Sequence, residues 1–173
     1  MKIDVSEIRK AKGRSEDFAG SEPDFLLDQQ GIPISFHHIV VSGHALNTGK
    51  SVLVQGKISA KVDLQCSLCL RQFTLTVDLP FEETYRRTKD NVSQDEQEGH
   101  EPRVYQGDEI DLGEMIREEL ILSLPMKPVC QPDCRGLCPV CGQDLNVADC
   151  GCSRQIPDPR WAVLQKLLND SDE

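Results

Sequence analysis

Beginning at Val52, every second position of the chain is apolar or small: Val52, Val54, Gly56, Ile58, Ala60, Val62, Leu64 and Cys66. Most intervening positions from Gln55 onward are polar, so the segment reads as a β-strand with one face buried. After Cys66 and Cys69 the phase restarts on odd positions as Phe73, Leu75, Val77, Leu79 and Phe81, with Gln72, Thr74, Thr76 and Asp78 between them. Two alternating strands around a four-residue cysteine turn predict a long antiparallel hairpin with the C-x-x-C at its tip. Upstream, "GIPISFHHIVVSGHA" offers a further strand before the turn "LNTGK", and "KIDVSEI" one at the terminus. The period then changes. In "DLGEMIREELILSLP", residues Leu112, Met115, Ile116, Leu120 and Leu124 share one helical face, Asp111 is placed to cap with Glu114 reaching back, and Pro125 stops the helix. A second helix is expected in "DPRWAVLQKLLND", with Asp158 as N-cap, Pro159 at its first position and a stripe of Trp161, Leu164 and Leu168.

These elements predict an α+β fold: an antiparallel β-meander or barrel-like sheet with one packed helix, then a cysteine-rich zinc-knuckle segment and a C-terminal helix. The expected division is a β-rich core over residues 1–126, containing the helix at 111–124 and an acidic loop at about 88–107, followed by a cysteine-rich segment over 127–173. No internal repeat is present.

Composition changes this picture in two places. With 38% hydrophobic and 5% aromatic residues, the apolar core is modest for 173 residues, so another tie is expected to help hold the fold. The formal charge of −10 is concentrated: residues 89–119 hold three basic and eleven acidic side chains, whereas residues 1–88 hold eleven of each. "KDNVSQDEQEGHE" therefore reads as a solvated loop, or as a docking surface for a basic protein. No run approaches the ~18 apolar residues of a membrane span, and "MKIDVSEIRKAKGRSEDF" has no apolar core of a signal peptide. The expected location is the cytoplasm, with no membrane partner and no small-molecule substrate.

Six of the eight cysteines lie within "CQPDCRGLCPVCGQDLNVADCGC", residues 130–152. In a reducing compartment such spacing points to metal ligands rather than disulfides. A C-x-x-C turn supplies two thiolates of a tetrahedral S4 shell, and Gly142 after "CPVC" permits the positive φ that such turns require. Eight thiolates divide into two structural zinc ions. The favoured division is Cys66, Cys69, Cys130 and Cys134 for the first ion, and Cys138, Cys141, Cys150 and Cys152 for the second, whose ligands are local. Pairing Cys66 and Cys69 with the CPVCG turn satisfies the same geometry and stays open. The first quartet closes a loop of about sixty residues, an entropic term of roughly 4 kcal/mol, set against ~10 to 16 kcal/mol for a structural zinc site.

Catalytic readings find less support. "CRGLCPVC" has the C-x3-C-x2-C spacing of radical enzymes that bind an iron–sulfur cluster, but here it follows a β-meander rather than an α/β barrel. No H-x-E accompanies the P-C-x-x-C, as a zinc deaminase needs. "NTGKS" resembles the end of a phosphate loop but lacks the upstream glycine and leads into a strand, so it reads as a hairpin turn. His37, His38, His44 and His100 are scattered.

The order of features, namely "LQCSLCLRQFTLTVDLPFEE", an acidic break, "DLGEMIREELILSLPMKPVC", "CRGLCPVCGQDLN" and "DPRWAVLQKL", resembles the YceD family of large ribosomal RNA subunit accumulation proteins, along nearly the whole chain. The resemblance implies a role in making, processing or stabilising the large-subunit ribosomal RNA; joined to two closed thiolate quartets, it makes the expected protein a non-enzymatic zinc-binding accessory factor. Its partners would be the ribosomal RNA precursor or basic ribosome-assembly proteins. An acidic chain without a basic stripe is a poor general RNA binder. The candidate RNA contacts are therefore local: Arg71, Arg86 and Arg87 around the hairpin, or Lys2, Arg9, Lys10, Lys12 and Arg14 near the N-terminus. The alternative is an RNA-processing or thiol-redox enzyme using the cysteine cluster.

Overall fold

The computed structural model describes residues 1–29, 32–88 and 102–152. It divides into two compact units: one formed by Met1–Gln65 with Gln72–Pro128, the other by Cys66–Arg71 with the chain from Val129 onward.

In the first unit, β1 (Lys2–Asp4) is followed by a 3-10 turn at Ile8–Lys10, then β2 (Ser15–Glu22), β3 (Phe25–Gln29), β4 (Ile32–Asn47), β5 (Val52–Gln65), β6 (Gln72–Arg87), β7 (Arg103–Tyr105), β8 (Glu109–Asp111) and α1 (Gly113–Leu122). Strands β4, β5 and β6 form an antiparallel meander at the centre of a six-stranded sheet. The predicted alternation holds: Val52, Val54, Ile58, Ala60, Val62 and Leu64 are all buried in β5, and Val77 and Phe81 in β6.

Strand β4 is long enough for two neighbours on one edge. β2 pairs with its second half and β3 with its first. Its burial switches parity, from Ile34 and Phe36 to Ile39, Val41 and Ala45. The cause is a bulge: pairing jumps from His37 opposite Lys61 to Val40 opposite Ser59, so β4 carries one extra residue there. His38 takes φ 53° at this point, and its N–H donates to Asp24 Oδ1 at 3.2 Å. Without the bulge, one half of β4 would turn its apolar side chains to solvent.

Gly43 and Gly56 face each other across β4 and β5. A Cβ on Gly56 would lie 2.3 Å from the Ser42 carbonyl oxygen and 2.9 Å from the Phe81 ring, so only glycine permits this approach of the two backbones.

The expected antiparallel meander is present, with two departures at its edges among the described residues. β7 pairs with β6 in parallel, and the sheet is open, running from β2 and β3 at one edge to β7 at the other. β1 leaves this sheet and pairs with β8 as a separate two-stranded ribbon. Residues 103–105, expected in the acidic loop, form β7 because they continue the hydrogen-bonding edge of β6. Residues 89–101 of that expected loop lie outside the described residues, as do the expected C-terminal helix and its Asp158 cap.

Helix α1 is shorter than the predicted 111–124. Asp111 belongs to β8, opposite Lys2, and its Oδ1 accepts the Gly113 N–H at 2.9 Å; Leu112 stands at the N-cap without a side-chain cap. The helix ends at Leu122, where the Ser123 hydroxyl donates to the Leu120 carbonyl at 2.7 Å. Its apolar stripe is the expected one: Leu112, Met115, Ile116 and Leu120 are buried, Leu124 partly so, and α1 lies against β6. No helix among the described residues is long and apolar enough to cross a membrane.

Candidate metal centre

The second unit is built on two C-x-x-C loops that fold alike. In the first, the Cys66 N–H donates to the Arg71 carbonyl at 2.9 Å and the Leu70 N–H to the Cys66 carbonyl at 3.0 Å. In the second, the Cys138 N–H donates to the Gln143 carbonyl at 2.8 Å and the Gly142 N–H to the Cys138 carbonyl at 2.9 Å. Each loop closes through a residue in the left-handed region at the same offset, Leu70 with φ 60° and Gly142 with φ 74°. A leucine there carries a penalty of ~1 to 2 kcal/mol that glycine avoids. The glycine was visible in the sequence; its leucine counterpart was not, because nothing in "CSLCLR" marks a positive φ.

These loops and the segment around Cys130, Cys134, Cys150 and Cys152 gather the eight sulfurs into two groups. One holds Cys66, Cys69, Cys130 and Cys134, the other Cys138, Cys141, Cys150 and Cys152, and within each group all Sγ atoms lie within 4.8 Å of one another. The alternative of Cys66 and Cys69 with the CPVCG turn is not the arrangement found. Cys66 and Cys134 sulfurs are 3.8 Å apart, and those of Cys69 and Cys130 are 3.6 Å apart. A disulfide would need about 2.05 Å. A tetrahedral shell with metal–sulfur bonds of ~2.3 Å places its sulfurs roughly 3.8 Å from one another, so each quartet could hold one metal ion. All eight are free cysteines; Cys66, Cys69 and Cys138 are buried and Cys141 is exposed.

Sulfur electrostatics differ within each quartet. Burial pushes the Cys66 thiol up, but donation from the backbone N–H groups of Cys69, Leu68 and Cys130 outweighs it and brings the group to about 6. Cys138 is drawn to about 6 by the N–H groups of Cys141 and Val140; the Val140 nitrogen lies 3.4 Å from its sulfur. Cys130 is pushed up to about 12 by burial and by the sulfurs beside it. Cys152 is pushed to about 12 by Cys141 and Cys150. Four sulfurs this close cannot all carry charge unless a cation sits among them.

A second set of residues holds the ligands in place. Asn146 donates through Nδ2 to the Cys134 sulfur at 3.6 Å and to Asp144 Oδ1 at 2.7 Å, while its Oδ1 accepts the Arg135 N–H at 2.8 Å. Asp144 also accepts the Asn146 N–H at 2.9 Å and meets Arg71 at 3.3 Å; the N–H donation holds its carboxyl below the usual range, with Arg71 adding to it. The Leu137 N–H donates to the Leu68 carbonyl at 3.0 Å beside Gly136, whose φ is 70°. A Cβ on Gly136 would lie 2.9 Å from that carbonyl oxygen. Sequence reasoning registered "GQDLN" only as a pattern, since asparagine as a sulfur donor has no spacing signature.

The candidate RNA contacts are divided between the two units. Arg71 is taken up by Asp144 within the cysteine unit. Arg86 and Arg87 end β6, and Arg87 stands 3.9 Å from Asp108. Of the N-terminal cations, Lys2 meets Glu109, Arg9 meets Asp108, and Lys10 and Arg14 both meet Glu7.

Residues 54–168 match the model of the family described as large ribosomal RNA subunit accumulation protein YceD. The chain belongs to the YceD family. The matched span starts within β5, a narrower region than the motifs suggested, and includes both quartets. Relatives within reach of the YceD match include an uncharacterized protein of Mycobacterium tuberculosis, 32% identical over 73% of this chain and 60% of its own length. YlbN of Bacillus subtilis, also uncharacterized, is 31% identical over 77% of this chain and 76% of its own. The large ribosomal RNA subunit accumulation protein YceD of Haemophilus influenzae is 29% identical over 69% and 63%. The chain thus spans under two thirds of the mycobacterial relative. No solved structure matches it.

Proposed function

We propose that this chain is a non-enzymatic accessory factor in the accumulation of large-subunit ribosomal RNA, held in shape by two structural zinc ions. The observation that carries the reading is the gathering of eight sulfurs into two quartets in a chain whose family is described by large ribosomal RNA subunit accumulation. Thiolate sets of this size suit zinc or an iron–sulfur cluster. Zinc is favoured because each quartet takes two ligands from a knuckle with N–H groups aimed at sulfur and keeps its four sulfurs within 4.8 Å of one another, with spacings of 3.6 and 3.8 Å in the first. A zinc with four protein thiolates has no open position for water or substrate, whereas catalytic zinc keeps one. The cysteines would therefore serve architecture, and free thiols at non-bonded distances fit a reducing compartment such as the cytoplasm.

The test has two parts. Protein purified without added metal or chelator should contain two zinc per chain, falling to one in Cys66→Ser and in Cys138→Ser. The intact protein should co-sediment with large-subunit precursor particles. Iron, a quartet with a bound water, or absence from those particles would each overturn the proposal.

A further inference from the structure

Three cations far apart in sequence meet in one small cleft of the sheet unit. Arg9 comes from the 3-10 turn, Lys50 from the turn between β4 and β5, and Arg87 from the end of β6; Asn47, Ser51 and Tyr105 complete a cleft of about 190 Å³. The framework beneath is fixed. Asn47 is only 8% exposed, and its Nδ2 donates to the Ile8 and Ala11 carbonyls at 3.1 and 3.2 Å. Its Oδ1 accepts the Gly49 N–H at 2.7 Å. One buried side chain thus ties the segment bearing Arg9 to the turn bearing Lys50. Gly49, at φ 103°, and the Thr48–Ser51 hydroxyl pair at 2.8 Å shape that turn.

The charges there are incompletely answered. Asp108 pairs with Arg9 and stands 3.9 Å from Arg87, so one carboxylate meets two guanidinium groups. Lys50 has no ion-pair partner among the described residues, and the buried Nε of Arg87 has no hydrogen-bond partner among them. Two guanidinium groups and an ammonium lining one small, mostly polar cleft make it a site for an oxyanion such as phosphate.

We propose that the cleft formed by Arg9, Lys50 and Arg87 is a binding site for a backbone phosphate of RNA. The segment "NTGKS" is then an anion-binding turn as well as a hairpin connection. The assignment of RNA rests on the function proposed above; the cation cluster itself does not. In a chain of net charge −10 such a site would position RNA locally rather than attract it from a distance.

The experiment is fluorescence anisotropy of the full-length, metal-loaded protein with a labelled single-stranded RNA and a labelled duplex, across a salt series. Lys50→Gln lies in an exposed turn and should weaken binding roughly threefold to tenfold for any RNA sequence, lowering the slope of log K against log salt by up to ~0.7 for a single strand. Lys57→Gln, at an exposed position of β5, is the control and should leave binding unchanged. Arg87→Lys, which keeps the charge, should retain more affinity than Arg87→Gln, a split that loss of folding alone would not give. Equal binding by wild type and Lys50→Gln overturns the site. Binding of inorganic phosphate or an acidic peptide as tight as that of RNA overturns RNA as its ligand. If no RNA binds while the protein still co-sediments with precursor particles through protein contacts, the site fails and the proposed function stands.

Discussion

Gly136 and Gly142 share a backbone conformation, φ 70° and 74°, but not surroundings. A Cβ on Gly142 meets nothing within 4 Å, so Gly142→Ala carries only the conformational penalty of ~1 to 2 kcal/mol for the left-handed region. Alanine also narrows the unfolded ensemble, which returns ~0.4 to 1 kcal/mol. The net loss is roughly 1 kcal/mol, about fivefold in metal affinity where binding and folding are one event. Gly136→Ala starts from the same loss and adds a contact at 2.9 Å with the Leu68 carbonyl oxygen, which already accepts the Leu137 N–H. Relieving the contact means shifting backbone that this bond joins, and overpacking of this kind adds ~1 to 3 kcal/mol. Gly136→Ala should therefore lose ~2 to 4 kcal/mol, between about 30-fold and 1000-fold in affinity. Chelator competition with a colorimetric zinc indicator resolves the two ions: Gly142→Ala should weaken the ion of Cys138, Cys141, Cys150 and Cys152, and Gly136→Ala chiefly the other. Equal losses, or a larger one for Gly142→Ala, would refute the steric argument.

Other outcomes follow from the same structure. Asn146→Ala removes the donor to the Cys134 sulfur and should weaken the first ion about 10- to 100-fold in the same competition assay, leaving the second near its wild-type affinity. Gly56→Ala forces a Cβ to 2.3 Å from the Ser42 carbonyl oxygen and should destabilise the sheet unit by at least ~1 to 3 kcal/mol, read as a lower urea midpoint with unchanged zinc content. Stripping both ions should collapse amide dispersion for residues 129–152 in NMR spectra while the far-ultraviolet β signal of the sheet persists.

The central meander and α1 were legible because each buries one face, which writes a period of two or 3.6 into the sequence. The thiols were legible from spacing alone. β2 was not: Ser15–Glu22 is an edge strand whose more buried positions are Phe18, Gly20 and Glu22, so its burial alternates without an apolar alternation in the sequence. β7 and β8 have three residues each, too few for a period, and depend on neighbours brought by tertiary contacts. The bulge at His38 looked like a continuous run, since "SFHHIVV" hides the parity change within apolar residues. The meeting of Arg9, Lys50 and Arg87 was illegible for a different reason: positions so distant share no pattern until the register of β4, β5 and β6 is known.

The two quartets differ in how far apart their ligands lie along the chain. Cys69 and Cys130 are separated by 61 residues, and Cys66 and Cys134 by 68, whereas the other four fall within residues 138–152. During synthesis the earlier pair must wait, thiols in hand, until the chain has grown past the helix, while the later four emerge almost together. Ion uptake by a refolding chain should accordingly be biphasic, with a prompt local step and a delayed one that reports completion of the long-range closure.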